Sequence, residues 1–205
     1  MAKVKLTKGE LKKQRDALRQ YERYLPTLQL KKQQLQMEIL HQIKLLEEKK
    51  HLYAKKREFI LSWGGLLGEA PQDLKSWITS KNVITATKNI AGVDLPVFSH
   101  VEFLPVEYDL FLMPLWLDSA LDMFKTLVIL REEINVTQRG IGILKQELRI
   151  TTQRVNLFEK VKIPETTEAI RLIKIYIGDQ MANAVGRAKI AKGKIEEALL
   201  EEVLV

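Results

Sequence analysis

Residues Met113–Lys160 read MPLWLDSALDMFKTLVILREEINVTQRGIGILKQELRITTQRVNLFEK, and steps of seven from Met113 reach Ala120, Leu127, Ile134, Ile141, Leu148 and Val155. Three places after members of that line lie Trp116, Met123, Leu130, Leu144 and Phe158, with only Thr137 and Thr151 polar there. Apolar residues at the first and fourth positions of a seven-residue repeat mark the buried seam of a coiled coil. A single helix cannot bury such a seam on itself, so the stretch demands a helical partner.

The partner is in the same chain. Leu11, Leu18, Leu25, Lys32, Ile39, Leu46, Tyr53 and Ile60 are seven apart, and Tyr21, Leu28, Leu35 and Trp63 lie three places further on. The second line turns polar at Gln42, Lys49 and Lys56, where Leu45, Leu52 and Phe59 are expected to take over, rotating the stripe around the helix. Thr7 followed by Glu10 has capping-box spacing, which puts the helix start near Lys8, and Gly64-Gly65 ends it. The helix then runs roughly 80 Å at the α-helical rise.

Pro26 and Pro164 interrupt these patterns. Proline inside a helix removes one hydrogen bond and crowds the preceding turn, at a cost of about 3 kcal/mol. A kink or short break is therefore expected over Lys162–Glu165, with Thr166 and Thr167 placed to recap the next helix. Beyond it the stripe resumes through Ile170, Ile173, Ile177, Met181, Ala184, Ala188, Ala191, Ile195 and Ala198, and two consecutive steps of four around Ile177 read as a stutter. The small alanines predict close helix approach near the C-terminus.

Between the seams the composition shifts to Val, Ile, Thr and Phe, with a turn at the AGVD around Gly92, so two short strands form a β-hairpin after a short helix near Gln72–Thr79. The expected fold is mostly α: a long antiparallel two-helix coiled coil with a small central α/β-hairpin insert. Its parts are an N-terminal coiled-coil helix over 1–63, a compact insert over 64–112 and a C-terminal coiled-coil helix over 113–205, kinked near Pro164.

Net charge is +7, unevenly placed: residues 1–60 hold 16 Lys and Arg against 7 Asp and Glu, a balance of +9, and the remainder 17 against 19, a balance of −2. Lys3, Lys5, Lys8, Lys12, Lys13, Arg15, Arg19 and Arg23 crowd the start of the first helix. They suit phosphate or an anionic protein surface, and equally a solvated helix face. The longest apolar run, Leu110–Leu117, is too short for a bilayer and contains Pro114, and no signal peptide precedes the helix. With no cysteine, the reading is a cytoplasmic protein without membrane insertion.

Catalytic chemistry finds little support. His41, His51 and His100 lack ligand partners at metal-binding spacing. In GRAKIAKGK the glycines are too far apart for a phosphate loop, and Ile195 stands where a serine or threonine belongs. No catalytic residue, metal or cofactor is expected.

LTKGEL at the first helix start, KNIAGVDLP in the insert and RVNLFEKVKIPETTEAIRLI late in the chain resemble the D subunit of the V-type and archaeal-type (A/V) ATPases. The last stretch is the most specific, because Arg154, Val155, Asn156, Glu159, Ile163 and Pro164 match that family's R-V-N-x-x-E-x-x-x-I-P pattern. The resemblance implies a non-catalytic central stalk, a rotor shaft that transmits torque between ATP hydrolysis or synthesis in a ring of catalytic and regulatory subunits (an A3B3-like hexamer) and proton or sodium translocation in a membrane rotor. It implies contacts with the F subunit and a C/d-type adaptor, and a place in the soluble sector, peripheral to the membrane. Lys5, Lys8, Lys12, Arg15 and Arg19 are then candidates for a bearing surface against the ring, and Arg154, Asn156 and Pro164 for shaft geometry or a partner contact. The competing class is a coiled-coil scaffold or tether that holds anionic surfaces or nucleic acid through its basic helix.

Overall fold

The computed structural model describes residues 5–69, 74–105, 109 and 113–203. Helix α1 spans Lys8–Ser62, a 3-10 turn covers Gly64–Glu69, α2 is Leu74–Ile78, strands β1 and β2 are Ser80–Ile90 and Val93–Phe103, α3 is Leu117–Leu157, and α4 is Ile163–Val203. Five residues of π-helix, Phe158–Lys162, join α3 to α4. Lys3 and the expected helix start at Gln72 lie outside the described residues, as does the side chain of Ala198.

Thr7 caps α1, its Oγ1 accepting from the Glu10 N–H at 3.2 Å. The reciprocal half of the box is not made. The Glu10 carboxylate accepts instead from Gln14 Nε2 at 2.8 Å, and the Thr7 N–H donates to Lys5 O. Pro26 stays within the helix.

Contacts divide the chain into two compact units, Leu30–Thr152 and Met1–Gln29 with Gln153–Val205. In the first, Lys31 pairs with Glu147 at 3.0 Å, Lys49 with Glu133 at 2.9 Å, and Trp63 faces Phe124 with ring centroids 6.3 Å apart. One helix number rises as the other falls, so the two helices are antiparallel. Leu35, Ile39, Val93, Leu95 and Leu144 form the core of this unit, with Ile43, Ile90, Ala91 and Leu148 packed around it.

That core shows where the hairpin docks. Its turn, Ala91-Gly92, has both residues at positive φ, 53° and 75°, the mirror-image turn that suits the twist of a two-residue hairpin. Ile90 pairs with Val93 across it, and this end packs on the helices through Ile90, Ala91 and Val93, with Gly92 left exposed. The strands are longer than expected, 11 residues each, because β1 contains no glycine or proline to stop it. Pro96 in β2 pairs with Thr87. Its carbonyl lies 3.9 Å from a Cβ built on Gly140, so the missing N–H falls on the outer edge, where no ladder bond is lost.

In the second unit Tyr21 stacks on Phe158, with centroids 5.3 Å apart, and Val155, Ala169, Ile170 and Ile173 are buried. Of the kink or short break expected at Lys162–Glu165, the break is not made: helix continues through this stretch. The Ile163 N–H donates to Phe158 O, five residues back, and the π turn accommodates Pro164 by widening the helix. Thr166 and Thr167 do not recap anything. Their hydroxyls donate to carbonyls of the preceding turn, Thr166 to Lys162 O and Thr167 to Ile163 O, both at 2.8 Å.

The π turn also explains the phase of the stripe. Val155 and Phe158 continue as Ile163, Thr166, Ile170, Ile173 and Ile177, each one place later than the heptad of α3 requires. One extra residue in a wide turn is the slip. The closely approached C-terminal alanines are not found: Ala184, Ala188 and Ala191 are exposed, as are Met181 and Ile195. Since α1 begins at Lys8, antiparallel pairing that starts from Tyr21 and Phe158 runs out near Arg171.

Candidate partner-binding surfaces

Lys8, Lys12, Arg15, Arg19 and Arg23 follow one another at spacings of four, three, four and four, so they form a single stripe on α1. All are exposed, as is Lys5 just before the helix. None enters an ion pair among the described residues. The stripe flanks the apolar line of Leu11, Leu18 and Leu25, whose side chains are half-buried, and packing of that line fixes the direction in which the cations point. Its chemistry is that of a rail of unpaired positive charge, suited to an anionic counter-surface.

Arg154 and Asn156 are also exposed. Because Val155 between them is buried, they leave the helix on opposite flanks and do not converge on one site. Pro164 is exposed after the π turn. Further along α4 the seam closes over Ile173, and Glu168 and Arg171 form a bidentate pair on the solvent side, Nε to Oε2 at 2.9 Å and Nη2 to Oε1 at 2.7 Å. The hydrogen bonds from Arg171 hold the Glu168 carboxyl below its ordinary value, against an opposing effect of desolvation and with help from the Arg171 charge.

An open cleft of about 290 Å³ lies between the hairpin and the helices, with Glu38, His41, Lys49, Lys88, Phe98 and Glu133 among its walls. Lys49 is committed there to Glu133. The histidines are all exposed, and among the described residues no cluster of His, Asp or Glu is arranged to hold a metal ion. GRAKIAKGK is internal to α4 and has no loop to cradle phosphate. No helix among the described residues is long and apolar enough to cross a membrane.

A surface not expected from the sequence lies beside the seam. Leu52 and Phe59, assigned to take over the stripe, stay 43% and 57% exposed. Tyr53 and Ile60 keep the inward positions, and Lys49 reaches across to Glu133, so the seam does not rotate and the two apolar residues are left at its flank. With Met123 and Ile60 they line a groove of about 370 Å³. The signal for it was present in the sequence as the seven-residue spacing of Leu45, Leu52 and Phe59.

The profile of the ATP synthase D subunit family matches residues 10–193 of the chain. The V-type ATP synthase D subunit of Borreliella burgdorferi is 44% identical over 200 residues, covering 95% of this chain and 96% of the relative. The V-type ATP synthase D subunits of Chlamydia pneumoniae and Chlamydia trachomatis serovar L2 are 35% and 34% identical, over 94% and 96% of this chain and 93% and 98% of their own lengths. Matched nearly end to end, the chain belongs to the ATP synthase D subunit family.

Proposed function

We propose that the chain is the central-stalk subunit of a V/A-type rotary ATPase, a non-catalytic shaft carrying torque between a nucleotide-hydrolysing or ATP-forming ring and an ion-translocating membrane rotor. The observation that carries this is the family match across both helical segments and the hairpin, on a chain whose helices pair with each other through cross-helix salt bridges. A shaft needs torsional stiffness and a cross-section that differs from side to side. The paired seam supports the first; the second is supported within each unit, by a basic stripe along one side of α1 in one and by a hairpin docked on the helices in the other. Its partners in this reading are the ring subunits of an A3B3-like hexamer, the F subunit and a C/d-type adaptor, and its place is the soluble sector on the membrane's cytoplasmic face. In this reading the functional partition is an N-terminal coiled-coil segment over 1–63, an insert over 64–112 and a C-terminal coiled-coil segment over 113–205, kinked near Pro164.

Within this reading, Lys5, Lys8, Lys12, Arg15 and Arg19 form a bearing surface against the ring, and Arg154, Asn156 and Pro164 set the local shaft geometry or touch a partner. The test is to co-express the chain with the remaining soluble-sector subunits, fix the ring to glass and attach a bead to this chain. ATP-driven rotation of the bead supports the shaft. Hydrolysis with the bead stationary or the chain absent from the complex refutes it.

The unpaired cation stripe favours one competing reading, a tether on anionic surfaces. That reading requires binding of the isolated chain to anionic vesicles or DNA that weakens steeply with salt; indifference to both removes it.

A further inference from the structure

Helix α1 carries two parallel heptad lines. Leu46, Tyr53 and Ile60 face inward, while Leu45, Leu52 and Phe59, one place earlier, repeat with the same period. The chain's own α3 does not cover the second line. Exposure rises along it, from the half-buried Leu45 to Leu52 and Phe59. Met123 of α3, 36% exposed, closes the other side of the groove, and the buried Ile60 forms its floor.

The polar part of the lining is Lys55, Lys56 and Thr126. The Thr126 hydroxyl is turned back onto Asp122 O at 2.8 Å, so it is not offered to a ligand. Lys55 and Lys56 enter no ion pair among the described residues. An apolar floor with a rim of two free ammonium groups does not suit a small molecule, which needs several polar groups converging in an enclosed site. A stripe with a period of seven is the complement of another helix. The rim selects its charge.

We infer that this groove docks an amphipathic helix from another subunit of the assembly, its apolar face on Leu52, Phe59 and Met123 and its flanking Asp or Glu residues opposite Lys55 and Lys56. The identity of the donor as a fellow subunit rests on the stalk reading; the groove and its chemistry do not. A second copy of this chain seated groove to groove would bring four lysines together, a repulsive arrangement.

The chain has no cysteine, so single substitutions report cleanly. Leu52→Cys, Phe59→Cys and Met123→Cys in the full chain are labelled with a maleimide, alone and within the purified assembly, with the exposed Glu47→Cys as a reference on another face. Labelling at the three groove positions is expected to fall at least tenfold on assembly. A benzophenone carried by Phe59→Cys is expected to cross-link a helical peptide of a different subunit that bears at least two Asp or Glu beside its apolar stripe. Lys55→Glu with Lys56→Glu, both exposed and unpaired, should weaken retention of that subunit at least tenfold while leaving the circular dichroism unchanged. Undiminished labelling in a chain that has assembled, cross-linking to a second copy of this chain or to an extended segment, or unaltered retention after charge reversal would each overturn the inference and leave the stalk standing. Failure of the wild-type chain to enter any assembly would instead overturn the stalk reading and the donor with it.

Discussion

Lys31 Nζ stands 3.0 Å from Glu147 Oε1, an ion pair that ties α1 to α3 across 116 residues of sequence. Both side chains remain about a quarter to a third exposed, so solvent weakens the attraction. The pair is expected to contribute about 0.5 kcal/mol, within the range for partly exposed pairs. A double-mutant cycle of Lys31→Ala and Glu147→Ala, measured by urea unfolding, should return a coupling of that size that shrinks in high salt. A coupling several times larger would mean the pair is effectively buried.

Ile173 has no exposed surface, and Pro164 lies at the solvent side of the same helix. Ile173→Ala should destabilise the chain by about 2–4 kcal/mol through lost burial and the cavity left behind. Pro164→Ala should change stability by less than about 1 kcal/mol, because the π turn has already absorbed the ring and the restored N–H offsets little. Thermal unfolding of the two variants side by side tests the contrast; equal losses would show that the proline, not the seam, organises this segment.

Gly92 holds φ at 75°, yet a Cβ built on it meets nothing closer than Lys31 Nζ at 4.0 Å. Gly92→Ala should therefore cost about 1 kcal/mol from backbone strain alone, with no steric component. Gly92→Asn, which tolerates this conformation better, should recover part of the loss. Chemical denaturation of both variants measures the order, and an alanine variant as stable as the wild type would exclude strain at the turn.

The Glu168 carboxyl is depressed by its bidentate Arg171 partner. A depressed folded-state pKa stabilises above the unfolded value and loses that contribution as pH falls through the folded one. Since both side chains are half or more exposed, solvent screens the pair and the observable is the titration and not the stability. Carboxyl NMR of Arg171→Gln should show the Glu168 midpoint moving up, toward that of an ordinary glutamate. An unmoved midpoint would mean the pair does not persist in solution.

Reversing Lys8, Lys12, Arg15 and Arg19 to Glu should leave the unfolding midpoint nearly unchanged, since exposed unpaired cations have little to lose. ATP-driven rotation of the assembled complex should become slower or irregular. Unaltered rotation would remove the bearing role of the stripe while leaving the shaft intact.

The seams were legible in the sequence because little besides a helical interface repeats every seven residues over many turns, and Leu35, Ile134, Leu144 and Val155 are buried where that period puts them. Thr7 and Gly92 were legible because a cap and a mirror-image turn are local chemistry. Where the hairpin docks was not legible. Packing Val93 and Leu95 onto Leu35 and Leu144 joins residues far apart in the chain, and no local pattern encodes that meeting. The π turn was hidden because proline suggests interruption, whereas the competing force was the seam's need to regain phase. The candidate surfaces divide in the same way: the cation stripe follows from spacing, but Arg154 and Asn156 on opposite flanks required the burial of Val155 to be seen. The uncovered line of Leu52 and Phe59 required knowing which of two adjacent stripes α3 would choose.

The extra residue at Phe158–Lys162 has a bearing on inheritance. Each residue added to or removed from a regular helix turns everything beyond it by about 100°, so the interval from Val155 to Ile163 cannot change its number of residues without turning Ile170 and Ile173 off the seam. Descendants of this gene are therefore expected to vary in length by whole heptads, or in the hairpin, and to keep that short interval free of insertions and deletions.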